Sequence, residues 1–194
     1  MKRTKQFISI LLTAGMLLTG IPVFAFSPPA EAEEILQNGY SSDSGRYAIY
    51  PVPQSEDYLD QGEFELETDV SVVSEEGIDN YTNAFLDEIL SDYGRTKTSA
   101  KAAGNGSQIL LGIKGSGGAA DAYADSVSLK DAELFTKTDS YLLSAKDGSI
   151  LILGQDTDAV YHGLATLQMM FSSFNGTKFL NVQIEGNSSA FRSD

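Results

Sequence analysis

The chain has no cysteine, so disulfides and thiolate zinc sites are excluded and stability must come from an apolar core. It has one histidine, His162, which lacks a second nearby nitrogen ligand for a metal. Positive charge is scarce: 13 Lys and Arg stand against 27 Asp and Glu, for a net charge of −14. A surface that acidic repels nucleic acid and anionic lipid headgroups, so neither is expected as a partner. Acidity by itself names no other partner, being also a generic route to solubility. No G-x-S-x-G nucleophile elbow occurs, and the glycine-rich run "GSGG" at 115–118 has neither a Walker lysine nor Rossmann spacing. The acidic runs "SEDYLDQGEFELETD" and "SEEG" lack the ligand spacing of a calcium loop. No cofactor is expected.

What is present begins with "MKRTKQFISILLTAGMLLTGIPVFAFS". Lys2, Arg3 and Lys5 precede an apolar run from Phe7 to Phe24, and Val23 and Ala25 fit the small-residue cleavage rule. Residues 1–25 therefore read as a signal peptide, and a secreted product with no stable membrane insertion is expected. A second cut after Ala32 fits the same rule, and the run is also long enough for an uncleaved anchor. Residues 1–25 carry three positive charges and no acid, so cleavage takes the net charge from −14 to −17. Residues 26–45, rich in Pro, Glu, Ser and Gly, read as a flexible linker.

Order is expected from residue 46. "YAIYP" suggests a short strand stopped by Pro51 and Pro53. Period-two alternation through Phe64, Leu66, Val70 and Val72 predicts strands near 63–67 and 69–74. From Ile78 the period changes: Ile78, Tyr81, Phe85 and Ile89 mark an amphipathic helix ending near Tyr93–Gly94. "KTSAKAAGNGS" reads as a loop. "QILLGIK", 108–114, is a continuous apolar run suited to an interior strand. The stretch 115–139 suggests a glycine-rich loop and a short helical piece. Asp147–Gly148, between two apolar runs, takes the positive φ values of a type I′ turn and predicts a hairpin. "TKFLNVQIE" closes as a last strand. The expected fold is α+β, a single mixed β-sheet with two main helices packed on one face.

The second main helix raises the question of chemistry. Val160, Leu164, Leu167, Phe171 and Phe174 form one stripe, worth roughly 8–15 kcal/mol of gross burial. That stripe lays the helix on the sheet and starts it near Asp158. Gly163, mid-helix, then implies a close approach of helix to strand, and Gly176 suits a C-terminal stop. Asp156 and Asp158, one residue apart, imitate a catalytic acid pair. A helix beginning there has unpaired N–H groups that Asp156 or Thr157 can cap, and its dipole favours a carboxylate. Capping explains both acids without chemistry. His162 lies one turn beyond Asp158 on the same face, which leaves it a solvated Asp–His pair or a contact with another domain.

Two segments taken together suggest a family. "YAIYPVPQSEDYLDQGEFELETDVSVV" carries a Tyr-Pro-x-Pro-Gln entry and a Gly-Glu-Phe-x-Leu strand. "GSILILGQDTDAVYHGLATLQMMF" carries a strand, Gly154, an Asp-rich cap and Tyr161-His162-Gly163-Leu164. In this order they resemble the N-terminal, non-catalytic domain of family-84 glycoside hydrolases, the bacterial secreted β-N-acetylglucosaminidases and so-called hyaluronidases. A related domain precedes the barrel of family-20 hexosaminidases. The resemblance implies a mixed sheet with helices beside a (β/α)8 catalytic barrel. In that family two neighbouring barrel aspartates act with the substrate's own acetamido group. Asp156 and Asp158 do not match that motif, so no catalytic, cofactor-binding or metal-binding residue is carried onto this chain.

The expected domain plan is 1–25 signal, 26–45 linker, 46–186 accessory domain and 187–194 the truncated start of a link to an absent barrel. There, "NSSAFRSD" reaches the family's arginine at Arg192 and departs at Ser193. The expected role is that of an accessory domain of an exported β-N-acetylhexosaminidase-like glycosidase, inactive alone, with its barrel and N-acetylated glycans as partners. The helix face bearing His162 and Thr166, or the glycine-rich segment 115–118, would touch the barrel. The alternative is a stand-alone secreted carbohydrate-binding or cell-surface interaction module, with Tyr47, Tyr50, Tyr58 and Tyr123 stacking on sugar rings.

Overall fold

A computed structural model describes residues 46–127, 129, 135, 137–174, 176 and 178–187. The expected signal peptide, the linker and the 188–194 stretch with Arg192 lie outside the described residues. Of the chain's two compact units, Met1–Gln37 and Asn38–Asp194, the second holds every described residue.

Seven strands form one sheet: β1 (Ser55–Phe64), β2 (Asp69–Ser74), β3 (Thr96–Ser99), β4 (Gln108–Ile113), β5 (Tyr141–Lys146), β6 (Ser149–Gly154) and β7 (Phe179–Gly186). Their spatial order is β1-β7-β5-β6-β4-β2-β3. The sheet changes character across its middle. β1, β7, β5 and β6 pair antiparallel, whereas β6, β4, β2 and β3 pair parallel. The interior strands β4 and β6 are buried on both faces, which is why "QILLGI" and "SILILG" read as unbroken apolar runs. The hairpin between β5 and β6 turns at Asp147 and Gly148, at φ 48° and 88°, as the Asp-Gly pair predicts.

Helices α1 (Asn80–Asp92) and α3 (Thr157–Ser173) cover one face, and the short α2 (Ala119–Ser126) covers part of the other. The expected α+β class and the two-helix face are both present. At their N-termini, the Asp79 N–H donates to Thr157 Oγ1 at 3.1 Å; at the other end Tyr93 Oη and Ser172 Oγ are 2.8 Å apart. These two links make α1 and α3 run side by side in the same direction. A Schellman stop ends α1, with Gly94 at φ 64° and the Arg95 N–H donating to the Leu90 carbonyl at 2.8 Å. A similar bond, Gly176 N–H to Phe171 O at 2.7 Å, follows α3.

Four expectations are corrected. "YAIYP" is no strand. Pro51 and Pro53 offer no N–H, and the segment lies along α3, with Ala48 N–H on Ser173 Oγ and Tyr50 N–H on Met169 Sδ, each at 3.4 Å. The first strand covers 55–64 rather than 63–67; its pairing with β7 shifts register between Tyr58 and Glu63, and that bulge hides the alternation. Thr96–Ser99, read as loop, is an edge strand held by backbone bonds to β2 and needs no apolar pattern. Finally, the buried stripe of α1 is Thr82, Leu86, Ile89 and Leu90 rather than a line through Tyr81 and Phe85.

Candidate functional site

Asp156 has extended backbone and its carboxylate accepts the Ala159 N–H at 2.9 Å, which makes it the N-cap of α3. Asp158 sits in the first turn, where the helix dipole favours it. Asp79 does the same for α1, accepting the Thr82 N–H at 2.7 Å, and that bond is the leading reason its carboxyl lies below the ordinary range. Both acids at 156 and 158 are explained by local helix chemistry.

The glycine-rich segment 115–118 follows β4 and opens α2. Here the chain leaves β2 for one face of the sheet and leaves β4 for the other. Open sheets of this kind hold ligands in the crevice at such a switch point. A crevice of about 800 Å³ is present, lined by Ser74, Glu75, Glu76, Lys101, Ser116 and Gly118. Its donors, however, serve the protein's own carboxylates. Asp121 accepts the N–H groups of Gly115 and Gly117 at 3.1 and 2.8 Å, and Glu75 accepts the Ala120 N–H at 2.6 Å and Ser116 Oγ at 2.8 Å. A Cβ on Gly118 would lie 2.3 Å from Glu75 Oε1, so the loop is shaped around that carboxylate. The resemblance to a phosphate cradle ends there.

The tyrosines divide by burial. Tyr47 is buried; its Oη accepts the Leu180 N–H at 2.7 Å, and its own N–H donates to Tyr58 Oη at 2.8 Å. Tyr58 Oη in turn donates to Glu56. Burial, ahead of the other causes, pushes both phenols well above their ordinary value. These two rings fasten the 46–50 segment to the sheet. Tyr123 is half-buried at the edge of the opposite sheet face, while Tyr50 is 73% exposed.

That leaves the outer side of the helix pair. Tyr81 of α1 is 70% exposed and stacks on Tyr161 of α3 at 5.3 Å, and Phe85 stacks on the same ring at 4.7 Å. The neighbouring Tyr81 hydroxyl is the first cause that raises the Tyr161 phenol. His162, edge-on to Tyr161 at 6.4 Å, borders a cavity of about 120 Å³ together with Tyr50, Val52, Met169 and Asn187. Thr166 borders it too but is buried, its Oγ1 2.6 Å from Tyr141 Oη. So His162 does sit on a partly open face, whereas Thr166 belongs to the packing below. Among the described residues no group of three or more metal-ligating side chains gathers, and no helix is long and apolar enough to cross a membrane.

Comparison with known proteins places this architecture. A family model described as glycosyl hydrolase family 20, domain 2, matches residues 46–185. The chain belongs to that family. The solved structure of CpGH84D shares 34% identity with this family-20 domain 2, covering 73% of this chain and 24% of its own, at a TM-score of 0.70. CpGH84B (19% identity, 73% and 22% coverage, TM-score 0.58) and the β-N-acetylhexosaminidase from Bacteroides fragilis NCTC 9343 (16%, 71% and 24%, 0.51) share the fold. The chain spans about a quarter of the length of each of these structures. No curated protein sequence matches it. The fold is the N-terminal, non-catalytic domain type of family-20 and family-84 enzymes, as the two sequence segments imply.

Proposed function

We propose that residues 46–187 serve as the accessory domain of an exported β-N-acetylhexosaminidase- or hyaluronidase-like glycosidase. The domain supports a catalytic barrel joined to it in the same polypeptide and takes part in glycan breakdown only in that union. The observation that carries this reading is the extent of the family match. It begins at Arg46, the first described residue, and runs into the last strand, so the whole described fold is accounted for as domain 2. The signal-like 1–25 segment supports export.

Two measurements test the reading. The transcript is sequenced beyond codon 194, where a barrel with neighbouring aspartates is expected. Residues 26–194 are assayed on a chromogenic N-acetyl-β-glucosaminide, where no turnover is expected, and passed over immobilised chitin, hyaluronan and mucin. Unrelated sequence after a clean stop, combined with retention on one of those glycans, overturns the proposal and leaves the stand-alone binding module.

A further inference from the structure

We propose that Asn105 is a self-modification site, where the folded chain converts its own side-chain amide to a carboxylate through a cyclic imide with Gly106. The inference is independent of the accessory-domain reading. In the reaction the Gly106 backbone nitrogen attacks Asn105 Cγ and forms a new C–N bond. The Cγ–N bond of the amide breaks, the Gly106 proton passes to the departing nitrogen, and ammonia leaves. Water then opens the imide. Cleavage at Cγ leaves aspartate; cleavage at the main-chain carbonyl leaves isoaspartate, whose backbone runs through the side chain and is one methylene longer. A following glycine suits the step because it has no Cβ to obstruct the attack.

The sequence holds three Asn–Gly pairs, at 38–39, 105–106 and 175–176. The last two continue as Asn-Gly-Ser and Asn-Gly-Thr, so their immediate neighbours scarcely distinguish them. The fold does. Gly176 is buried, its N–H donates to the Phe171 carbonyl at 2.7 Å, and its own carbonyl accepts Arg95 Nη2 at 2.8 Å. A Cβ at Gly176 would lie 2.4 Å from Tyr93 Cδ1. Ring closure there must break the stop that follows α3 and enter space already filled. Asn38 lies outside the described residues.

Asn105 and Gly106 are placed in the opposite way. Both are exposed. No described residue takes a hydrogen bond from the Asn105 amide or the Gly106 N–H. Gly106 has φ 95°, and the nearest atom to a Cβ built on it is Glu67 Oε2, at 4.0 Å. The nitrogen and the amide carbon can therefore turn toward each other without the loss of a bond. The residues on either side are fixed. Gly104 N–H donates to Gln108 Oε1 at 2.9 Å, while Ser107 accepts the Ser71 N–H on its carbonyl at 3.0 Å and the Glu67 N–H on Oγ at 2.8 Å. The reacting pair is a short free bridge between anchored neighbours, so β4 keeps its place while the bridge rearranges. Conversion takes the net charge of the chain from −14 to −15. The isoaspartate product also lengthens the bridge, and the bond from Gly104 to Gln108 is the first to feel it.

Peptide mass spectrometry tests the assignment. The 194-residue chain is incubated at neutral pH, once folded and once in guanidinium chloride, and then digested with trypsin. Cleavage after lysine and arginine places Asn38 in 6–46, Asn105 in 102–114 and Asn175 in 147–178, and fragmentation localises the new carboxylate. In the folded chain Asn105 should convert at least about tenfold faster than Asn175, because the buried pair reacts only through an opened state. In denaturant the two rates should converge. An isoaspartate-specific methyltransferase should label 102–114 in the aged parent and not in Asn105→Gln, whose extra methylene spoils the ring. Equal rates in the folded chain, or a slower Asn105, overturn the site. A gap that persists in denaturant overturns it as well, since sequence and not fold would then set the rate. Labelling of 102–114 that survives Asn105→Gln overturns the imide route.

Discussion

Replacing Gly163 with alanine sets two effects of comparable size against each other, and the structure decides the sign. In an exposed helix interior the change would stabilise by about 1 kcal/mol through propensity. Gly163 is instead buried against the sheet, and a Cβ there would lie 2.5 Å from Ile152 Cγ2 and 3.3 Å from Tyr141 Cδ2. Neither neighbour can easily retreat. Ile152 is fully buried in β6, paired with β4 on one side and β5 on the other. Tyr141 is tied through its hydroxyl to Thr166 of the same helix. Forcing a methyl into so tight a contact costs about 1–3 kcal/mol. With the propensity gain of about 1 kcal/mol subtracted, Gly163→Ala should destabilise by up to about 2 kcal/mol, lowering the thermal midpoint by up to roughly 6 °C for a domain of this size. Urea unfolding followed by far-UV circular dichroism measures it, with the midpoint falling and the slope unchanged. A double-mutant cycle isolates the cause. Ile152→Ala removes the clashing methyl, so in that background Gly163→Ala should become neutral or stabilising, with a coupling of about 1–3 kcal/mol. A single variant at least as stable as the parent, or no coupling with position 152, would refute the close-approach argument.

Other expectations follow from the caps and the phenols. Asp156→Ala should cost about 1 kcal/mol in the same unfolding assay and Asp156→Asn only a few tenths, because either Asp or Asn caps; equal losses would mean the charge matters and the capping bond does not. The Asp79 carboxyl is held low chiefly by the Thr82 N–H, so its contribution is present above the ordinary carboxylate pKa and fades as pH falls through the lower folded value. The stability gap between the parent and Asp79→Ala should therefore be clear at about pH 7 and close by about pH 2; a gap that is constant with pH removes the charge from the argument. Burial is the first cause raising Tyr47, Tyr58 and Tyr141, so these phenols favour the fold below the ordinary phenol pKa and oppose it as pH rises. In an alkaline titration at 295 nm they should ionise only together with loss of the dichroism signal. Full ionisation of every tyrosine in one step near about pH 10 with the fold intact would contradict their burial.

How much of this was legible beforehand depends on the range of the interaction involved. The Asp147–Gly148 hairpin, the Asp156 cap, the stripe of α3 and the interior strand at 108–113 are set by residues a few positions apart, through φ preference, capping and period. They could be read from the chain directly. The family, too, was readable from two short segments. What the chain alone left open was decided by contacts between distant segments. That Tyr47 is buried, with its hydroxyl on the Leu180 N–H, and that Tyr58 bonds Glu56 could not be read from the chain. The partners of the "GSGG" donors could not be read from the chain: Asp121 takes the Gly115 and Gly117 N–H groups, and Glu75, on a different strand connection, takes the Ser116 hydroxyl. Edge strand β3 has no side-chain signal because only backbone bonds to β2 make it a strand. The helix face bearing His162 could be singled out from the chain, but that Tyr50, Val52 and Asn187 lie beside it was decided by the fold. Local backbone preference is encoded within about one helical turn, whereas the partner of a donor or ring is chosen by the folded topology, and here that choice separates buried, bonded residues from exposed ones.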